Sequence, residues 1–338
     1  MSTATPLKVL MITSEWASDP GHTAHFIARQ VRFLRAAGVE VDVFAFRGGR
    51  RPLRYLTAWA RLRRQMNGNG QHYDLVHAQF GQSGLLALPK RLPLVVTFRG
   101  DDLFGILGPG GRPTPAGRVL QWLSRRVARR ADAAILVSEH LKQYLTHPIA
   151  AHIVPSGLDL DLFRCIPRDE ARRHLGWPAD GHRILFVGDP ADPRKRYALA
   201  RQAVDVLNRT LPAELVIGWR VPHDKMPFYM NACDALVFTS REEGSPNAVK
   251  EALACDLPVV SVAVADVPLR LRGIPGCEVS ADESPETIAA ALGRTLLRQQ
   301  RSGGLGRAAA AQLDERLLTN RVIDIYRSVL APTNGRAS

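Results

Sequence analysis

Glu243 and Glu251 stand with seven residues between them, around a Gly244-Ser245-Pro246-Asn247 segment. The segment follows an apolar run, Ala235–Thr239, that reads as a buried strand. Ser245 has the side chain of a helix N-cap, and Pro246 suits the first helical position. A strand feeding a helix N-terminus leaves free backbone N–H groups and the positive end of the helix dipole aimed at one spot, which suits an anion. Carboxylates beside that spot repel a phosphate unless hydroxyls are there for them to grip. A diphosphate flanked by polyols meets all three conditions, and that is the chemistry of a nucleotide sugar. The plain alternative is a strand–turn–helix whose acids are only solvated.

Further candidates stand at the ends of other strands. Gly188-Asp-Pro-Ala-Asp-Pro-Arg194-Lys195 follows one apolar run and opens a helical stretch. Its two cations suit a departing diphosphate, which gains charge as its bond to the sugar breaks; a solvated basic turn is the alternative. Thr97-Phe-Arg99-Gly-Asp101-Asp102 ends another strand, and the planar fork of Arg99 suits sugar hydroxyls or a carboxylate. Asp101 and Asp102 read as turn or cap residues rather than metal ligands, and no metal site is expected. His77, at the end of a third strand, is either an acceptor contact or an ordinary structural histidine.

The elements that must hold these residues alternate along the chain. Lys8–Ile12, Val39–Phe46, Leu75–Ala78, Leu94–Phe98, Ala133–Val137 and His152–Val154 read as strands, with helical patterns such as His25–Ala37 between them. The alternation loosens around Pro155–Pro167 and then resumes with strands at Arg183–Val187, Glu214–Gly218, 235–239 and Val259–Val264. Helices are expected at Tyr197–Leu207, Met226–Ala232 and Pro246–Ala254. Such a pattern predicts an α/β chain of parallel sheets covered by helices on both faces. Two Rossmann-like, doubly wound domains facing a cleft are expected, with ligands beyond the strand C-termini. The expected bounds are 1–165 and 166–318, with 319–338 forming a C-terminal helix that packs back on the first domain, and a tail.

With these motifs placed, the chain resembles the retaining glycosyltransferases of family four (group 1), which have the GT-B fold. Glu-Gly-Ser-Pro-Asn…Glu-Ala…Leu-Pro-Val-Val resembles their donor-site motif, and His152–Phe163 their Pro-Asn-Gly-Val-Asp…Phe linker, with Ser156 in place of Asn. The resemblance implies that Glu243 meets hydroxyls of the transferred sugar and Glu251 the ribose. Gly244, Ser245, Pro246 and Asn247 form the segment whose backbone N–H groups, Pro246 having none, bind sugar and diphosphate, and Lys195 is the diphosphate-binding lysine. Gly21 matches the glycine-rich first loop, followed here by His22; His77-Ala-Gln-Phe-Gly resembles an acceptor-facing motif. Two departures stand out: Asp189 where relatives have arginine, and Arg99 where they have a histidine beside the sugar. The Gly21–Val43 stretch is similar to members that build teichuronic-acid-type surface polysaccharides.

Composition narrows the setting. Of 338 residues, the first 165 carry 22 Lys+Arg against 11 Asp+Glu, and the rest 23 against 21, so the basic excess lies in one half. That suggests an anionic partner there. Arg47–Met66 holds seven arginines and no acid. At helical spacing Tyr55, Leu56, Trp59, Leu62 and Met66 gather opposite Arg50, Arg54, Arg61 and Arg64, as in a helix lying on an anionic membrane; a core-packed helix with a solvated basic face is the alternative. Arg118–Arg130 reads as an ordinary helix with Val119, Trp122, Leu123 and Val127 for a core. Cys165, Cys233, Cys255 and Cys277 are widely spaced, as reduced thiols would be. No run approaches a membrane span or a signal peptide, so a cytoplasmic protein is expected, peripheral at the inner membrane face.

The function expected is metal-independent transfer of a sugar, hexosyltransferase-type, from a UDP- or GDP-linked donor, and the family resemblance implies that it is retaining. The acceptor is a lipid-linked saccharide in cell-surface polysaccharide or glycolipid synthesis. No other cofactor is implied. A soluble small-molecule acceptor is the alternative within the fold. A basic nucleic-acid-binding protein is the alternative of another class, and the chain shows no module for that role.

Overall fold

Runs of four to six apolar residues flanked by turn-formers are too short for buried helices and form strands instead. The computed structural model describes residues 6–16, 25–49, 51–67, 72–108, 112–298 and 301–331. The chain divides into two compact units, Met1–Gly157 with Glu315–Ser338, and Leu158–Asp314.

In the first unit β1 (Lys8–Thr13), β2 (Glu40–Ala45), β3 (Leu75–Gln79), β4 (Leu94–Phe98), β5 (Ala133–Leu136) and β6 (Ala151–Ile153) form one parallel sheet in the order β2-β1-β3-β4-β5-β6. Alternate residues of β1 face opposite layers, as strand geometry requires. Val9 and Met11 pack with helices His25–Ala36 and Glu315–Leu330, while Leu10 and Ile12 pack with the layer holding Pro52–Asn67 and Pro115–Ala128. The second unit holds β7 (His182–Val187), β8 (Ala213–Gly218), β9 (Ala235–Phe238), β10 (Val259–Ser261) and β11 (Glu278–Val279), parallel in the order β11-β10-β9-β7-β8.

The division falls at Gly157–Leu158 rather than 165–166, because Leu158 and Phe163 are fully buried in the second core. The chain returns to the first unit at Glu315 rather than 319. Glu315 is buried and pairs with Arg29 at 3.0 Å, and Leu318, Val322 and Tyr326 follow it into the first core. Gly157 lies against this helix start. A Cβ there would stand 2.7 Å from Glu315 Oε2, so no larger residue fits. The helix expected at 246 begins at Asn247, and the strand expected to reach 264 ends at Ser261.

Two basic helices of the first unit exchange their expected roles. In Pro52–Asn67, Leu62 is fully buried and Tyr55 and Met66 pack on the core, so most of the side expected at a membrane faces inward. Several arginines there serve the fold. Arg54 donates to Gly48 O (3.1 Å), Arg61 to Ala45 O (2.7 Å), and buried Arg63 to Pro89 O (2.6 Å). Trp59 Nε1 donates to Leu88 O at 2.8 Å. Leu53 and Leu56 stay exposed, and Arg50 lies outside the described residues. In Pro115–Ala128 the reverse holds: Val119 and Trp122, expected in the core, are 57% and 59% exposed. Among the described residues no helix is long and apolar enough to cross a membrane.

Candidate functional site

The second sheet reverses its winding between β7 and β9, and ligands in such sheets bind beyond the strand ends at that reversal. Ile184 pairs with Ala235 and Leu185 with Leu236, an offset that brings Gly188 alongside Thr239 just past the two strands. The loop after β7 carries Lys195; the loop after β9 carries Glu243. Lys195 Nζ donates to Glu243 Oε1 at 2.5 Å, with both side chains about one-fifth exposed (24% and 19%). The ammonium also sits 5.8 Å from the Phe238 ring.

Local geometry holds that cation in place. Gly188 has φ +147°, and a Cβ on it would meet Lys195 Cγ at 3.1 Å, so the lysine stem lies across bare backbone. Asp189 accepts the Ala191 N–H at 2.9 Å and shapes the turn. Thr239 Oγ1 donates to Lys195 O (2.9 Å), and Arg196 Nε donates to Thr239 O (2.6 Å). Arg196 takes φ +52° and forks onto Glu283 (2.5 and 3.0 Å). The loop is thereby tied to the end of β9 from both sides. Arg194, expected as a second cation beside Lys195, turns instead onto Asp192, its Nη2 3.0 Å from Oδ2.

On the other side of the reversal, helix Asn247–Ala254 carries Glu251, which is 7% exposed. Gly244 and Pro246 are buried, while Ser245 and Asn247 are half-buried. Ser245 does not cap the helix. Its Oγ donates to Asp266 Oδ2 at 2.9 Å and accepts from Arg270 at 3.3 Å, and Pro246 occupies the cap position. The buried Oδ1 of Asn247 has no hydrogen-bond partner among the described residues, an acceptor aimed at nothing the fold provides.

The first unit's candidates form a separate network. Arg99 donates to Ser156 Oγ (2.6 Å) and Gln79 Oε1 (2.8 Å) and stacks 4.3 Å from the Phe26 ring. Burial lowers its pKa to about 10, with Glu315 opposing the shift. His77 is fully buried: Nδ1 lies 2.6 Å from the Tyr326 hydroxyl and Nε2 2.7 Å from Thr97 Oγ1. Burial, then Arg99, lowers its pKa to about 3, so the ring is neutral. A buried ring with both nitrogens engaged is a core histidine, which corrects the acceptor-contact reading. Asp102 accepts backbone N–H groups of Gly81, Arg99 and Gly100 (3.0, 3.1 and 3.0 Å) and fastens the turn after β4. Gly21 and His22 lie outside the described residues. Among the described residues no group of three or more His, Cys, Asp or Glu is placed to hold a metal ion.

Family models match both units: Glycosyltransferase Family 4 over residues 9–162, and Glycosyl transferases group 1 over residues 171–298. The D-inositol 3-phosphate glycosyltransferase of Geodermatophilus obscurus is 30% identical over 310 residues, 77% of this chain and 68% of that protein. D-inositol 3-phosphate glycosyltransferase 1 of Catenulispora acidiphila is 28% identical over 315 residues, 78% of this chain and 74% of that protein. The chain is a family 4, group 1 glycosyltransferase. Its fold is GT-B. Sucrose-phosphate synthase from Thermosynechococcus elongatus superposes with a TM-score of 0.80 at 16% identity, over 97% of this chain and 100% of that one. Anabaena HepE in complex with UDP and glucose gives 0.71 at 16%, over 95% and 100%.

In this glycosyltransferase the residues that sequence reasoning missed are those that position others. Thr239 and Arg196 lock the Lys195 loop, and Tyr326 and Ser156 hold His77 and Arg99. Thr239 at a strand end and Arg196 beside Lys195 carried a weak signal. The Tyr326–His77 contact spans 249 residues and carried none.

Proposed function

We propose that this glycosyltransferase transfers a sugar, with retention and without a metal, from a nucleoside diphosphate donor held in the second unit. The Lys195–Glu243 bridge across the β7/β9 reversal supports the donor-site part of this reading, and retention rests on the family resemblance. Each partner has a ligand group to take in exchange for the other. Lys195 takes the diphosphate and Glu243 takes hydroxyls of the transferred sugar. Glu251 accepts from the ribose, and the orphan Oδ1 of Asn247 accepts a further ligand hydroxyl. The acceptor oxygen bonds to the anomeric carbon as the carbon–phosphate-oxygen bond breaks. The acceptor proton passes to the departing phosphate oxygen on the same face, and Lys195 stabilises the charge gained there. Anabaena HepE has been solved with UDP-glucose, which favours a UDP-linked donor over a GDP-linked one.

The acceptor in this reading is a lipid-linked saccharide of cell-surface polysaccharide synthesis. The names of the curated relatives favour a second reading, a soluble phosphorylated polyol. A thermal-shift panel of nucleoside diphosphates and nucleotide sugars tests the donor site, because a ligand that binds only the folded state raises Tm. UDP and one UDP-sugar should raise it. No rise with any nucleotide would overturn the proposal, and product formation from that donor with either acceptor class would separate the two acceptor readings.

A further inference from the structure

The Pro115–Ala128 helix leaves a face uncovered that its sequence places in a core. Positions 115, 119, 122, 126 and 129 recur at helical spacing, and all five residues are exposed. Val119 and Trp122 supply the apolar part of that stripe, Arg126 and Arg129 the cationic part, with exposed Arg118 beside them. The Arg126 guanidinium carbon sits 5.7 Å from the centre of the Trp122 ring. A groove of about 380 Å³ runs along the helix to Thr146, and Arg125 Nε donates to Tyr144 O at its wall (3.3 Å).

Two close glycine contacts seat the helix with Trp122 outward. A Cβ on Gly117 would stand 2.5 Å from Ile106 O, and one on Gly81 would stand 2.3 Å from Ser124 Oγ, so both contacts are closed to the backbone. Between Asp102 and Asp132 the chain carries six arginines and no carboxylate, so the charge on this face is unopposed within its own segment.

We propose that this face docks the glycosyltransferase on an anionic lipid bilayer, with Trp122 and Val119 entering the headgroup–acyl boundary and Arg118, Arg126 and Arg129 meeting lipid phosphates. A soluble polyanion would use the guanidiniums but has no use for an exposed tryptophan and valine. An interfacial helix needs both. The docking surface goes beyond the donor-site reading and does not depend on it.

Flotation of the full chain with vesicles of phosphatidylcholine and 30% phosphatidylglycerol, against pure phosphatidylcholine, tests the proposal. The wild-type chain should float with the anionic vesicles alone at physiological salt. Each arginine near such a surface contributes roughly five-fold in binding. Arg118→Gln/Arg126→Gln/Arg129→Gln should therefore weaken binding by on the order of 100-fold, and Trp122→Ala should weaken what persists at high salt. Leu53→Ala/Leu56→Ala on the other basic helix, Pro52–Asn67, should float as the wild type does. Circular dichroism and the urea midpoint of each variant report folding, so loss of docking is distinguishable from loss of the fold, and UDP binding, measured separately, reports the donor site in the other unit. The proposal is overturned if wild type stays with the soluble fraction, or if the triple-arginine variant floats unchanged. Binding of inositol hexakisphosphate at this face without flotation would overturn it in favour of a soluble anion.

Discussion

Lys195 and Glu243 sit close enough to neutralise one another, so their separate roles show only when each is removed alone. Lys195→Ala should lower turnover by about 10²–10³-fold, the range for losing a preorganised donor to transition-state charge. Steady-state kinetics with saturating donor checks this, and unchanged turnover would end the leaving-group role. Glu251→Ala should weaken UDP binding by about 1.5–3 kcal/mol, the worth of a hydrogen bond to a charged group, whereas Glu243→Ala should cut turnover more than UDP affinity. Isothermal titration with UDP distinguishes them, and equal wild-type affinity in both variants would remove Glu251 from the nucleotide. His77 makes a pH-dependent contribution of known sign. Its folded pKa lies near 3, below the ordinary histidine value of 6.5, because burial disfavours the charged ring. Its contribution to stability is therefore complete above about 6.5 and is lost as pH falls from there towards about 3, with a limiting slope of about 1.4 kcal/mol per pH unit. The stability of His77→Gln should lack that component. Denaturant unfolding of both proteins at several pH values gives the difference curve, and parallel curves would contradict the assignment.

At the scale of elements, the donor site depends on a loop that has little freedom. Gly188 lets β7 turn away with positive φ and lets the Lys195 stem lie on its backbone, while Thr239 and Arg196 tie the loop to β9. Gly188→Ala should combine a strained backbone with displacement of Lys195. We expect a stability loss of about 1–3 kcal/mol and a fall in turnover larger than the fall in UDP affinity. Calorimetry and titration on the same preparation test both parts. A variant with normal turnover would mean that the stem has another path. The Asn247–Ala254 helix illustrates the opposite case: its existence was legible from Pro-Asn-Ala-Val-Lys-Glu-Ala, but its start was not. Ser245 has a better partner in the Asp266–Arg270 pair than in the helix end, and that pair lies 21 and 25 residues away.

At the scale of the molecule, the first unit is built from two stretches of chain, and the Glu315–Leu330 helix completes its core. Arg29 and Glu315 are both 5% exposed where that helix begins, so removing one partner leaves a buried charge. Glu315→Ala should cost about 3–5 kcal/mol, and replacing both partners with apolar residues should recover much of it. Urea unfolding followed by probes in each unit checks this. An undiminished midpoint for the first unit would show that water already serves the pair.

The amino-acid sequence by itself determined the α/β class, most strand and helix positions and the family, because these depend on local periodicity and on short motifs around strand ends. Residues such as Leu10, Val237 and Val260 are apolar wherever the chain places them, and a parallel sheet buries them on both faces. Tertiary structure alone decided which charges are spoken for. Arg194 looked available until Asp192 took it, and His77 stood between an acceptor contact and a structural role until Tyr326 arrived from 249 residues away. It also decided which apolar faces stay uncovered. Pro52–Asn67 and Pro115–Ala128 have similar compositions, and nothing local says that the first turns Leu62 and Met66 inward while the second leaves Trp122 in solvent. That difference accompanies close glycine contacts, Gly117 on Ile106 and Gly81 on Ser124, in which the helix supplies one partner and the other, Ile106 or Gly81, comes from outside it, where the helix sequence carries no sign of it.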